Sequence, residues 1–217
     1  MRDTTQAILK DLTVRYPALY ACEANLSKAA KWMVNCFQQG GKLLVCGNGG
    51  SAADSEHIVG ELMKTFKLER PLDEEMREKI RVAYPEHAES MIANLQRAVP
   101  AISLVSETAL MTAYTNDNSA EMAFAQQVMS YGCPGDLLLA ITTSGNSCNV
   151  LNAARIAHIV GMKVIGLTGQ SGGEMKALSD ICICAPSTVT YQVQEYHLPI
   201  YHCLCACVEN EMFGTDA

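Results

Sequence analysis

The chain has 217 residues, 49% of them hydrophobic and 18% charged, with a mean hydropathy of +0.07. That length suits one α/β domain with added helices better than two full domains. The formal net charge of −7 argues against a nucleic-acid partner, which would need a basic face. It leaves a phosphorylated small molecule open, because hydroxyls and a helix N-terminus can hold one phosphate on an acidic protein.

Residues 1–16 carry Asp3, Lys10, Asp11 and Arg15 among their apolar positions, so no secretory leader is expected. No segment reaches the roughly 18 apolar residues of a membrane span. The expectation is a cytoplasmic protein with no membrane partner. Ten cysteines occur without any C-x-x-C spacing. In a reducing compartment they read as small buried hydrophobes, Cys182 and Cys184 in one apolar run and Cys203, Cys205 and Cys207 in another.

Two helical stretches come first. The clearer, 21–39, is ended by Gly40 and Gly41. A first apolar run, 42–46 (KLLVC), is followed by a glycine loop and a helical stretch. The segment 72–99 is rich in Glu, Lys, Arg, Met and Ala, and Pro85 divides it into two predicted helices. Four more apolar runs lie at 101–105 (AISLV), 137–141 (LLLAI), 163–167 (KVIGL) and 181–185 (ICICA), with helical patterns between them. Nearly continuous apolarity marks strands buried on both faces. Strand and helix in alternation predict a five-stranded parallel sheet with helices on both sides, a three-layer α/β sandwich. A long helix over 191–213 closes the chain, and Pro199 should kink it or mark where it begins.

Two loops carry phosphate chemistry. Gly47, Asn48, Gly49, Gly50 and Ser51 follow the first strand and precede a helix. The glycines let backbone approach a ligand, and Ser51 is placed to cap the helix. The pattern is not G-x-G-x-x-G, which disfavours a dinucleotide. Thr142, Thr143, Ser144, Gly145, Asn146 and Ser147 follow the third strand. Four hydroxyls at a strand's carboxyl end exceed what a helix cap requires and predict a phosphate cradle. His57 and Glu61, at i,i+4 on the helix after the glycine loop, share a face and could bind a metal, act as acid and base, or form a solvated ion pair. Gln194, Glu195, His197 and His202 fall in the last helix.

These motifs occur together and in order: CGNGGS, His57 with Glu61, TSGNS, the LTG at 167–169, and Gln194 through His202. In this the chain resembles the SIS-domain phosphoheptose isomerases (sedoheptulose 7-phosphate isomerases), over about 26–212. The resemblance implies a single Rossmann-like SIS domain over 1–217 with a helical insertion at about 72–99. It implies that Asn48, Gly49, Gly50 and Ser51 contact substrate, that Asn116 and Asp117 touch the sugar, and that Thr142, Thr143, Ser144 and Ser147 hold the phosphate. Glu61 and Gln194 join the substrate contacts. His57, Glu61, Gln194 and His202 match the positions that hold zinc in metal-containing members, and Glu61 and His202 match the proton-transfer pair. A homotetramer with active sites at subunit contacts is implied as well.

Two departures stand out. In the typical member Arg70 and Pro71 would lead almost directly into the second strand, without the insertion. Pro199 is atypical of the last helix. In an unbroken helix Gln194 and His202 would lie about 12 Å apart along the axis, too far to share one ion unless Gln194 sits at the start of the helix or the chain bends at Pro199. The implied chemistry is conversion of sedoheptulose 7-phosphate to D-glycero-D-manno-heptose 7-phosphate through a cis-enediol, with Glu61 and His202 as the proton carriers, whose roles could exchange. The rivals are a non-catalytic sugar-phosphate-binding regulator, such as one that associates with a replication initiator, and an isomerase of another sugar phosphate.

Overall fold

A computed structural model describes residues 1–215. Helices α1 (Asp3–Arg15) and α2 (Glu23–Gln38) precede the sheet, joined by a 3₁₀ turn at Pro17–Cys22. Strand β1 (Leu43–Cys46) leads into α3 (Gly50–Met63). The insertion forms α4 (Glu74–Ala83) and α5 (Ala88–Asn94), separated at Pro85. Then follow β2 (Ala101–Ser103), α6 (Thr108–Asp117), a 3₁₀ turn at Ala120–Met122, α7 (Ala123–Tyr131), β3 (Leu137–Thr142), α8 (Cys148–Ile159), β4 (Lys163–Thr168), α9 (Met175–Leu178), β5 (Ile181–Cys184) and α10 (Thr190–Phe213).

The five strands make one parallel sheet in the order β2-β1-β3-β4-β5. Alternation along each strand splits the core into two layers. Leu43, Val45, Leu137, Leu139 and Ile141 face a cluster with Leu26, Met33, Ile58, Ile200 and Leu204 of α2, α3 and α10. Leu44, Cys46, Leu138 and Ala140 face Phe124, Val128, Val150 and Ala154 of α7 and α8. Both faces are covered, which is why the strands read as unbroken apolar runs. Buried Asp136 accepts the Lys42 N–H (2.9 Å) and the Lys42 ammonium (2.5 Å), tying the start of β1 to that of β3.

Helix α2 ends as its two glycines require. Gly41 N–H donates to Cys36 O and Gly40 N–H to Phe37 O, with Gly40 at φ 79°, the paired bonds of a Schellman stop. All ten cysteines are free; seven are buried, Cys184 is half-buried, and Cys133 and Cys148 are exposed. Among the described residues no helix is long and apolar enough to cross a membrane.

Helix α10 runs unbroken through Pro199 and begins at Thr190, so the proline does not mark its start. Ser51 also departs from expectation. The residue outside α3 is Gly49 (φ 58°, ψ −119°), while Ser51 lies buried inside the first turn, where its carbonyl accepts the Ser55 hydroxyl. A tight turn beginning at Asn48, whose carbonyl takes the Ser51 N–H, draws the helix start one residue earlier than a serine cap would set it.

Candidate active site

The sheet order turns back on itself between β1 and β3, and in open α/β sheets ligands bind in the crevice at that point. Both predicted loops lie there. A reciprocal amide pair joins them: Asn48 Nδ2 donates to Asn149 Oδ1 (2.8 Å) and Asn149 Nδ2 to Asn48 Oδ1 (2.9 Å). A shallow cleft of about 310 Å³ beside the pair is lined by Asn48, Ser147, Cys148, Asn149 and Glu121.

In the hydroxyl loop, Thr142 Oγ1 and Ser147 Oγ are 2.9 Å apart, and Ser144 Oγ accepts the Asn146 N–H (3.1 Å). Ser147 stands at the N-cap position of α8, yet its side chain makes no capping bond and pairs with Thr142 instead. Gly145 (φ 73°) presses against the 172–173 turn so closely that a Cβ there would lie 2.1 Å from Gly172 O. This contact forces glycine at the centre of the loop and fixes the loop's height over the sheet.

Glu61 lies ten residues beyond Ser51 on α3, about 15 Å along the helix axis. His57 Nε2 is 3.2 Å from Glu61 Oε1, and Lys64 Nζ is 3.3 Å from Glu61 Oε2. Glu61 is buried, at 8% exposure, while the His57 ring is exposed to solvent. Across from it, the His202 ring packs edge-on to His57 (centroids 5.0 Å) and Tyr201 (4.9 Å) and lies against Phe66 (5.5 Å). Burial, reinforced by His57 and opposed by the Glu61 charge, lowers the His202 pKa from the ordinary imidazole value. The structure thus brings His57, Glu61 and His202 together. His202 also walls a cleft of about 680 Å³ between α1 and α10, so it is not sealed in the core.

Two partners of His57 were not foreseen. Tyr201 Oη donates to Asp54 Oδ1 (3.2 Å) and stands 3.0 Å from His57 Nδ1. The Tyr201 contact at Nδ1 holds the ring so that Nε2 faces Glu61. Asp54 is three residues before His57 on α3, a helical-face spacing that could have flagged it. Burial raises the Asp54 pKa, against the Tyr201 hydrogen bond and the charge of His57. Asn149, also unforeseen, is simply the second residue of α8.

Gln194 lies apart from this cluster. Its amide covers Gly50, where an added Cβ would meet Gln194 Nε2 at 2.4 Å, and the unbroken α10 keeps it two turns from His202. Asn116 and Asp117 end α6, exposed, with Asn116 Nδ2 donating to Asp117 Oδ1 (2.9 Å). Among the described residues neither makes a hydrogen bond to the two loops or the His57 cluster. His197 is fully buried and its Nε2 bonds the Thr168 carbonyl (3.2 Å); Glu195 is exposed.

Zinc suits the donor chemistry here: two imidazoles and a carboxylate, a His57 ring held through Nδ1, and a buried His202 Nε2 with no hydrogen-bond partner. As they stand, no three His, Cys, Asp or Glu side chains among the described residues are gathered closely enough to hold an ion, so these three would have to draw together around it.

The SIS domain family matches the chain over residues 18–101 and 87–169, two pieces that overlap where the insertion returns to the sheet. A phosphoheptose isomerase of Thiobacillus denitrificans is 39% identical over 199 residues, covering 90% of this chain and 88% of that protein. One from Shewanella pealeana is 38% identical over 210 residues, covering 95% and 93%. Among solved structures, a phosphoheptose isomerase from Francisella tularensis superposes with a TM-score of 0.75 at 33% identity, covering 96% of this chain and 97% of that one. Another, from Neisseria gonorrhoeae, gives 0.73 at 31%, covering 93% and 94%. With matches of this depth across nearly its whole length, the chain belongs to the SIS-domain family of phosphoheptose isomerases.

Proposed function

We propose that the chain isomerises sedoheptulose 7-phosphate to D-glycero-D-manno-heptose 7-phosphate. The observation that carries this reading is the meeting of a buried carboxylate, Glu61, with two histidines, His57 and His202, in a family of phosphoheptose isomerases.

In this reading Glu61 takes the proton from C1 of the ketose and returns it to C2 of the enediol. His202, whose ring stands against His57 across from Glu61, carries a proton between the two oxygens. Thr142, Thr143, Ser144 and Ser147 hold the phosphate and orient the sugar. Asn48, Gly49, Gly50, Ser51 and Gln194 line its path, and Asn116 and Asp117 reach the sugar's far hydroxyls. Zinc, held by His57, Glu61 and His202, would polarise the carbonyl when bound. Gln194 joins as a ligand only from elsewhere than its present seat on Gly50. Metal analysis of the purified protein checks this independently of turnover. About one zinc per chain, falling in His57→Ala, is expected, and a metal-free wild type that binds no added zinc sinks it.

The 15 Å along α3 between the glycine loop and Glu61 favours a homotetramer in which one copy's hydroxyl loop faces another's acid–base cluster. Light scattering should give four chains, and at low sugar phosphate a mixture of two separately impaired variants, Glu61→Gln and Ser144→Ala/Ser147→Ala, should turn over faster than either alone. The test of the reaction is incubation with sedoheptulose 7-phosphate in D₂O. Aldose phosphate carrying deuterium at C2 is expected, and substrate binding without exchange would leave a binding protein instead.

A further inference from the structure

The most heavily bonded charged pair in the molecule takes no part in the chemistry above. Arg70 and Glu209 are 2% and 1% exposed, with Arg70 Nη2 2.8 Å and Nε 2.9 Å from Glu209 Oε1. The rest of the Glu209 carboxylate is filled by backbone: it accepts the N–H groups of Phe66 (2.9 Å), Lys67 (2.8 Å) and Leu68 (3.2 Å). The rest of the guanidinium donates to the last carbonyls of α3, Nη1 to Leu62 O (2.6 Å) and Nη2 to Glu61 O (2.9 Å). The Phe213 ring covers it at 4.8 Å.

Two arms of this knot end at the acid–base pair. The Glu61 carbonyl belongs to the same residue as the proposed carbon base. Phe66, held by its N–H, lays its ring on His202. Glu209 is seven residues after His202 on α10, two turns on and on the same face. Only the planar guanidinium fork can reach the carboxylate and both carbonyls at once. A stability role alone does not call for this arrangement, because buried ion pairs are often replaceable by apolar residues without loss of stability.

We propose that Arg70 and Glu209 are positioning residues that lock the end of α3 to α10 and so set Glu61 against His202. This rests on the isomerase reading for its consequence in rate. Because neither residue touches the phosphate loops, their loss should lower kcat and spare KM. Displacements of about 1 Å at a reacting centre can cost a hundredfold.

The experiment pairs kinetics with the His202 imidazole signals in ¹H–¹⁵N NMR of the full-length protein. Arg70→Lys keeps the charge and loses the fork. Its kcat should fall tenfold or more with KM within twofold, and the His202 signals should move while those of exposed His87 stay. If Arg70→Lys does not fold, the double variant Arg70→Gln/Glu209→Gln removes both charges together, keeps an amide acceptor for the 66–68 N–H groups, and should give the same pattern. A folded variant with wild-type kcat and unmoved His202 signals overturns the proposal, as does one in which KM rises in step with the fall in kcat. If the wild type fails to turn over sedoheptulose 7-phosphate, the isomerase reading falls, and the His202 signals still decide the positioning role.

Discussion

At the scale of single residues, the site rests on side chains whose surroundings differ from water. Glu61 is buried between His57 and Lys64, and His202 stands in an aromatic box. General acid–base groups typically contribute about 10²–10⁴ in rate. Glu61→Gln is therefore expected to cut kcat at least about a hundredfold with KM nearly unchanged, and His202→Asn likewise; steady-state kinetics at saturating sugar phosphate check both. A Glu61→Gln enzyme within a few fold of wild type would remove Glu61 from proton transfer. The pairing of His57 with Glu61 was legible because i,i+4 spacing fixes a helical face. The approach of His202 to His57 was legible only through family resemblance, since no local pattern links residues 145 positions apart. Arg70 and Glu209 were not legible at all: an arginine before a proline and a glutamate in a terminal helix look like solvated surface, and only the fold brings them together.

At the scale of elements, all five apolar runs become strands because each is covered on both faces, and short continuous apolar runs set between helical patterns sufficed to find them. Capping was harder to read. Ser51 is the commonest kind of N-cap residue, yet the Asn48 turn claims that role for Gly49. The hydroxyl loop carries the next prediction. Ser144→Ala/Ser147→Ala should raise KM for a phosphorylated sugar tenfold or more, about 1.4 kcal/mol or greater, with kcat less affected. Unchanged kinetics in the double variant would take the loop out of the site. The insertion is a second independent element. Helices α4 and α5 pack chiefly on each other, and their footing is backbone: a Pro71–Gln96 bridge, Thr65 N–H to Gln96 Oε1 (2.6 Å) and Arg97 N–H to Arg70 O (2.8 Å). Replacing 74–94 with a short flexible link, while keeping the footing, should lower the circular dichroism only by the share of the two excised helices and leave melting nearly intact. It should change solution mass or sugar preference, since Val82 and Tyr84 stand exposed at 75% and 59%. Identical mass and identical kinetics would leave the insertion without either role.

At the scale of the whole molecule, α10 is the element to which everything else is referred. It carries Gln194 against the glycine loop, His202 against His57, Glu209 in the buried knot and His197 against the end of β4. It stays helical past Pro199, which the sequence could not decide, because packing of both ends against α1, α2 and α3 outweighs one lost backbone bond. His197 makes this clamp sensitive to acid. It is wholly buried, its Nε2 donates to Thr168 O, its Nδ1 has no partner, and burial pushes its pKa down from 6.5 to about 4. Above about pH 6.5 the imidazole is neutral in both folded and unfolded chains and contributes no pH dependence. Between 6.5 and about 4 the unfolded chain binds a proton that the folded chain refuses, so stability falls as pH falls. The loss is on the order of 2 kcal/mol by pH 5 and about 3 kcal/mol once both forms are protonated. Urea unfolding at pH 7.5 and pH 5.0 measures it. His197→Gln keeps a donor for the Thr168 carbonyl and removes the titration, so the gap between the two pH values should shrink by about 2 kcal/mol relative to wild type. A variant whose stability falls with acid as steeply as the wild type's would mean that His197 is protonated without penalty, and that water or an acceptor reaches its Nδ1 in solution.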